Sequence, residues 1–115
     1  INARKQWIAG AITPAGTITV DDGAAHALSQ GKSLLPAGVT AIAGAFDRGD
    51  AVVIHTARGK QIGSGLSAYS AADARLILGH KTREIEALLG YRGRDEMIHR
   101  DDLVPDHARG GWKTG

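Results

Sequence analysis

The chain has 115 residues, 43% hydrophobic and 23% charged, enough for one hydrophobic core but not two and far from the composition of a disordered chain. A formal charge of +2 with a pI near 9.2 is only mildly basic and does not by itself mark a nucleic-acid binder. Having no cysteine, the chain can form neither disulfides nor thiolate zinc sites, which points to a reducing cytoplasm; no apolar run approaches the roughly 20 residues of a membrane span, and no signal-peptide stretch opens it.

Taken in chain order, residues 7–12 and 17–20 read as two short strands around a Thr13-Pro14-Ala15-Gly16 turn, hence a hairpin. Asp21 and Asp22 then offer an N-cap for a short helix through Ala24, Ala25, Ala27 and Leu28, which Gly31 can end in the left-handed conformation. Leu34 to Ala45 is apolar and broken by Pro36-Ala37-Gly38, which predicts a strand, a sharp bend and a second strand rich in β-branched residues. Arg48-Gly49-Asp50 turns into Ala51–His55, and Ala57-Arg58-Gly59-Lys60 turns back into a strand from Gln61 to Tyr69.

Ser70 can cap a helix carrying Ala74, Ile77 and Leu78, closed by Gly79, and Thr82 can cap another through Ile85, Leu88 and Leu89, stopped by Gly90. Glu96 to Arg100 reads as the last strand, and residues 105–115 as a flexible tail after a single domain spanning 1–104. About six short strands with three inserted helices imply a mainly β fold with short α-helices, an α+β pseudo-barrel around one core. The start at Ile1 rather than at a methionine suggests a fragment of a longer protein.

Several motifs weaken on inspection. Gly31-Lys32-Ser33 imitates the end of a phosphate-binding loop, but His26 stands where that loop needs glycine, and the motif leaves a helix instead of opening one. Gly63-Ser64-Gly65 lacks the third glycine of a dinucleotide fingerprint and lies inside a predicted strand, where glycine lets another backbone come close. His26, His55, His80, His99 and His107 form no metal pattern, and the doublets Asp21-Asp22 and Asp101-Asp102 fall at a helix cap and a strand end, so no metal site is assigned. No nucleophile–base pair stands out either, and no catalytic residue is assigned. Arg92-Gly93-Arg94 and Arg100 have the chemistry to bind phosphate, yet Asp95, Glu96, Asp101 and Asp102 are interleaved with them. Ion pairing within the domain or with a partner competes with nucleic-acid binding there.

Four blocks match something more specific. Trp7-Ile8-Ala9-Gly10, the run Gly31-Lys32-Ser33-Leu34-Leu35-Pro36-Ala37-Gly38-Val39, the run Gly65 to Ser70, and above all Leu89 to Val104 resemble the C-terminal PUA domain of bacterial glutamate 5-kinase, over about Ala3 to Val104. The resemblance implies a PUA-like pseudo-barrel attached, in the parent protein, to an amino-acid-kinase domain. That kinase domain phosphorylates the γ-carboxylate of glutamate with ATP and magnesium, the first step of proline synthesis, under feedback inhibition by proline. Nothing matching the kinase domain's phosphate loops or catalytic lysines is present, so the chain alone is expected to be no enzyme and to hold no cofactor, ATP and magnesium belonging to the parent.

Two roles follow as expectations. The first is an accessory regulatory or assembly module that contacts its own kinase domain and other subunits, with Arg92, Arg94, Asp95, Glu96, Asp101 and Asp102 as interface candidates. The second is RNA binding. PUA domains elsewhere grip RNA with the first helix, the loop after it and the final strand, which here correspond to Gly31, Lys32, Ser33 and Leu34 and to Ile98, His99 and Arg100. No membrane contact is expected, and the location is read as cytoplasmic.

Overall fold

A computed structural model describes residues 14–106. The Thr-Ile-Thr-Val alternation makes β1 (Gly16–Val20), with Ile18 and Val20 inward and the two threonines half-buried between them. The expected partner run at residues 7–12 lies outside the described residues; β1 pairs antiparallel with β2 (Val39–Gly44) and parallel with β3 (Ala51–Thr56). A mixed five-stranded sheet results, in the order β2-β1-β3-β4-β5, with β4 at Gln61–Leu66 and β5 at Leu103–Pro105. Ile18 stands opposite both Ile42 and Ile54, so the central strand is lined with branched side chains on both neighbours.

The predicted β3–β4 hairpin forms, but β4 stops at Leu66 because Ser67 turns the chain: its hydroxyl donates to the Tyr69 carbonyl at 2.6 Å. Helix α1 (Asp22–Ser29) begins where Asp21 Oδ1 accepts the Ala24 N–H at 2.7 Å. Helix α2 (Ala71–Ile77) is capped by Ser70, whose Oγ accepts the Asp73 N–H at 3.2 Å, and buries Ala71, Ala74 and Ile77 along one side.

Three expectations are corrected. The first half of the Leu34–Ala45 pair is no strand: Leu34 makes a single bridge, and Pro36 then opens a 3₁₀ turn at Pro36–Gly38, where a proline without N–H is tolerated. Thr82 does not cap its helix. A 3₁₀ turn at Thr82–Glu84 precedes α3 (Ile85–Leu89), closed by the Lys81 N–H donating to Glu84 Oε1 at 2.9 Å, while the Thr82 hydroxyl donates to the Asp95 carbonyl. The strand expected at Glu96–Arg100 is one bridge at Ile98. His99 Nδ1 accepts the Asp101 N–H, winding Arg100–Asp102 into a 3₁₀ turn, and the true last strand, β5, follows it. β5 is an edge strand, so Pro105 costs no ladder bond, and the sheet includes the position where the tail was expected to start.

Ile18, Val20, Val52, Ile54, Ile77, Met97 and Ile98 are fully enclosed, each burial being worth about 1.5–3 kcal/mol. Met97 and Ile98 belong to the returning C-terminal segment. The core is therefore completed by residues distant in sequence from the strands they pack on.

Candidate binding surface

The surface starts at the end of α1. Gly31 takes φ +80°, and the Gly31 and Lys32 amides donate back to the Leu28 and Ala27 carbonyls at 3.1 Å each, closing the helix and turning the chain sharply away. Two residues on, the Leu34 N–H donates to the Ile98 carbonyl at 2.9 Å and the Met97 N–H donates to the Leu34 carbonyl at 2.7 Å. The Arg100 N–H completes the seam by donating to Ser33 Oγ at 2.8 Å, across 67 positions of sequence.

The two candidate segments, 31–34 and 98–100, are thus one structural unit. Their residues nevertheless play different parts. Leu34 and Ile98 are buried, so their side chains serve the core and only their backbones serve the seam. Lys32 and Arg100 are exposed cations on either side of it, Gly31 is the turn, and Ser33 and His99 are half-buried. His99 Nδ1 accepts the Asp101 N–H at 3.0 Å, which assigns the ring hydrogen of neutral imidazole to Nε2.

Beside the seam runs an open groove of about 420 Å³ between α1 and the Pro36–Gly38 turn. Lys32 and Ser33 form its rim, Asp21 one end, and Ala24, Ala27, Leu35 and Ala37 its apolar walls. The Asp21 N–H donates to the Gly38 carbonyl at 2.9 Å, fixing one wall to the other. Leu35 is 47% exposed and gives the groove an accessible apolar wall. Sequence reading singled out Lys32 and Ser33 but not these walls; the cluster of small residues around Pro36 was the available signal.

Gly65 shows why β4 is glycine-rich. A Cβ there would sit 2.7 Å from the Asp102 carbonyl oxygen and 2.8 Å from Ile98 Cγ2. The strand is bare so that the returning segment can lie against it, as the sequence suggested for Gly63-Ser64-Gly65.

The interface candidates lie along the same return. Arg92, Arg94, Asp95 and Asp101 are exposed, while Glu96 and Asp102 are half-buried. The segment is anchored by its backbone: the Tyr69 hydroxyl donates to the Arg94 carbonyl and the Thr82 hydroxyl to the Asp95 carbonyl. Among the described residues no ion pair joins Arg92, Arg94 or Arg100 to Asp95, Glu96 or Asp101; His80 Nδ1 lies 3.4 Å from Glu84 Oε1 and His99 Nδ1 lies 3.6 Å from Asp101 Oδ2, contacts that are ion pairs only when the imidazole is protonated. Arg92, Arg94, Asp95 and Asp101 thus face outward without pairing with one another.

Three titrating groups are perturbed. Burial, with the Asp95 charge nearby, pushes the Tyr69 phenol up, and the hydrogen bond Tyr91 donates to Asp73 Oδ2 at 2.6 Å raises Tyr91 to about 12. The Lys81 amide lowers Glu84 by bonding its ionised form, helped by His80. All three perturbations arise from structural hydrogen bonds or burial. Among the described residues no three His, Cys, Asp or Glu side chains gather to hold a metal ion, and no helix is long and apolar enough to cross a membrane.

The PUA domain family pattern matches residues 16–89. Glutamate 5-kinase of Paramagnetospirillum magneticum is 63% identical over 102 residues, which cover 89% of this chain and 28% of that protein. Glutamate 5-kinase 1 of Mesorhizobium japonicum is 57% identical over 115 residues, all of this chain and 30% of that one. The chain spans less than a third of the length of these relatives. Among solved structures, a PUA domain from Aeropyrum pernix K1, crystallised as a tartrate complex, superposes with a TM-score of 0.54 at 27% identity over 75% of this chain and 43% of that one.

Proposed function

This chain belongs to the PUA domain family, and we propose that it serves as the non-catalytic accessory module of a glutamate 5-kinase, tuning activity or assembly by contact with the kinase portion and neighbouring subunits. The observation that carries this reading is its 63% identity to a stretch amounting to 28% of such a kinase. The outward arginines of 92–100, unpaired with Asp95, Glu96 or Asp101, supply the polar rim that such a contact uses. In this reading the parent phosphorylates the γ-carboxylate of L-glutamate with ATP and magnesium in the cytoplasm. For ATP and magnesium, Gly31-Lys32-Ser33 lacks the geometry of a phosphate-binding loop, because it ends a helix instead of opening one. Both are assigned to the kinase portion.

The test compares the full-length enzyme with one truncated before this module, for oligomer size, proline inhibition and magnesium response. At least one is expected to change. Unchanged behaviour in all three would remove the proposal.

A second reading is RNA binding, favoured by one feature: Lys32 and Arg100 flank a seam that borders an open, partly apolar groove. Cations there would meet phosphate, and the groove would receive a base or sugar face. Titrating the chain with structured RNA at two salt concentrations tests it. Affinity should fall with salt, and Lys32→Ala or Arg100→Ala should each reduce the salt slope by about 1; flat titrations count against it.

A further inference from the structure

A second cleft, of about 380 Å³, opens where three stretches of chain meet: the Arg48-Gly49 turn before β3, the residues just after β4, and the return segment carrying Arg94 and His99. We propose that it is an anion site for a small molecule bearing a single phosphate or carboxylate group, held by Arg48, Arg94 and His99. The opening is distinct from the groove of the RNA reading, while Arg94 is shared with the proposed interface and His99 with the seam.

The cleft is built before any ligand arrives. The Gly49 N–H donates to the Ser67 carbonyl at 2.7 Å, the Ser67 N–H to the Asp50 carbonyl at 3.0 Å, and the Ala68 N–H to the Met97 carbonyl at 2.9 Å. The Ser67 hydroxyl is already donating to the Tyr69 carbonyl. These ties fix the walls and engage the Gly49, Ser67 and Ala68 amides, so recognition is assigned to the side chains.

The side chains that remain are cationic forks. Arg48 and Arg94 are both exposed, and among the described residues neither is in a salt bridge. A guanidinium presents paired N–H groups that match two oxygens of a phosphate or carboxylate. His99 adds an N–H at Nε2, because its Nδ1 is occupied by the Asp101 amide. Asp102 also lines the cleft and has an interaction of its own. One carboxylate beside two guanidiniums leaves a small positive excess, which suits one anionic group and disfavours a polyanionic strand. The volume falls in the range of small-molecule sites, about 300–1,000 Å³.

The test is NMR titration of the 115-residue chain, following the Arg Nε–H and His ring signals. Inorganic phosphate is added in one arm and acetate in the other, with sodium chloride holding ionic strength constant. Saturable shifts of the Arg48 and Arg94 signals in either arm, with the backbone amide of Lys32 unmoved, are expected, and the arm that saturates identifies phosphate or carboxylate as the source. Arg48→Gln combined with Arg94→Gln should weaken binding at least tenfold. Arg48→Gln alone, at an exposed turn, gives the same readout if the double variant folds poorly. Linear, unsaturated shifts in both arms, or an affinity unchanged by these substitutions, overturn the proposal.

Discussion

The β3–β4 hairpin and the 94–102 return segment lie against each other and are held by different means. The hairpin is stitched by an antiparallel ladder from Ala51 opposite Leu66 to His55 opposite Gln61, with one register shift between Ile54 and His55, and packs Val52 and Ile54 into the core. The return segment has no ladder until β5. It is pinned at separate points: the Tyr69 hydroxyl on Arg94, the Thr82 hydroxyl on Asp95, the Leu34–Ile98 bridge, and Ser33 on Arg100. Regular structure thus supplies stability, while the pinned segment carries the exposed charges of Arg94, Asp95, Arg100 and Asp101, against Arg58 and Lys60 at the hairpin turn. These exposed charges are carried where side chains need not alternate in and out.

The contrast can be broken most forcefully at the hairpin. Ile54→Ala should cost about 2–5 kcal/mol by emptying a fully enclosed position, read as a lower denaturant midpoint for the whole domain. Next comes the contact between the two regions: Gly65→Ala, pressing on the Asp102 carbonyl and Ile98, should cost about 1–3 kcal/mol and shift the amide signals of 98–105 more than those of β1. Caps and pins are weaker. Asp21→Ala should cost about 1 kcal/mol through its lost N-cap bond, whereas Ser33→Ala should cost about 0.5 kcal/mol, because the exposed Arg100 amide can turn to water.

The smallest effect on stability, though sharp in spectroscopy, concerns the tyrosines. The chain contains two, Tyr69 and Tyr91, and both are raised from 10.0, Tyr91 to about 12. A group whose pKa is higher folded than unfolded stabilises the fold below the unfolded value and loses that contribution as pH climbs through the folded one, here between 10.0 and about 12 for Tyr91. Absorbance near 295 nm should therefore place the Tyr91 tyrosinate step at about 12 rather than 10.0 while the fold persists. Asp73→Asn should bring the Tyr91 step down towards 10, since the bond to Asp73 is the largest cause of its rise.

Much of this was legible in the sequence where the signal is local. The β3–β4 hairpin announces itself by β-branched runs around Arg58-Gly59, α1 by Asp21 and Gly31, and the close backbone contact at β4 by its two glycines. The return segment was misread as a strand because Met97-Ile98 is apolar and buried like one. What decides its shape is not periodicity but His99 capping a turn and Leu34 bridging from far away. The resemblance named 31–34 and 98–100 together; no spacing in the sequence says that Ser33 and Arg100 touch. Nor does any local pattern bring Arg48 to Arg94, since the cleft they share exists only once the return segment lies against β4.

The claim on which the rest depends is that the loop after α1 and the 97–100 segment behave as one unit. Native-state hydrogen exchange measures this directly through the Leu34 and Met97 amides, which close the bridge from opposite sides. They should show equal opening free energies and fall together in Gly65→Ala. A Leu34 amide that exchanges freely while that of Met97 stays protected would contradict the account.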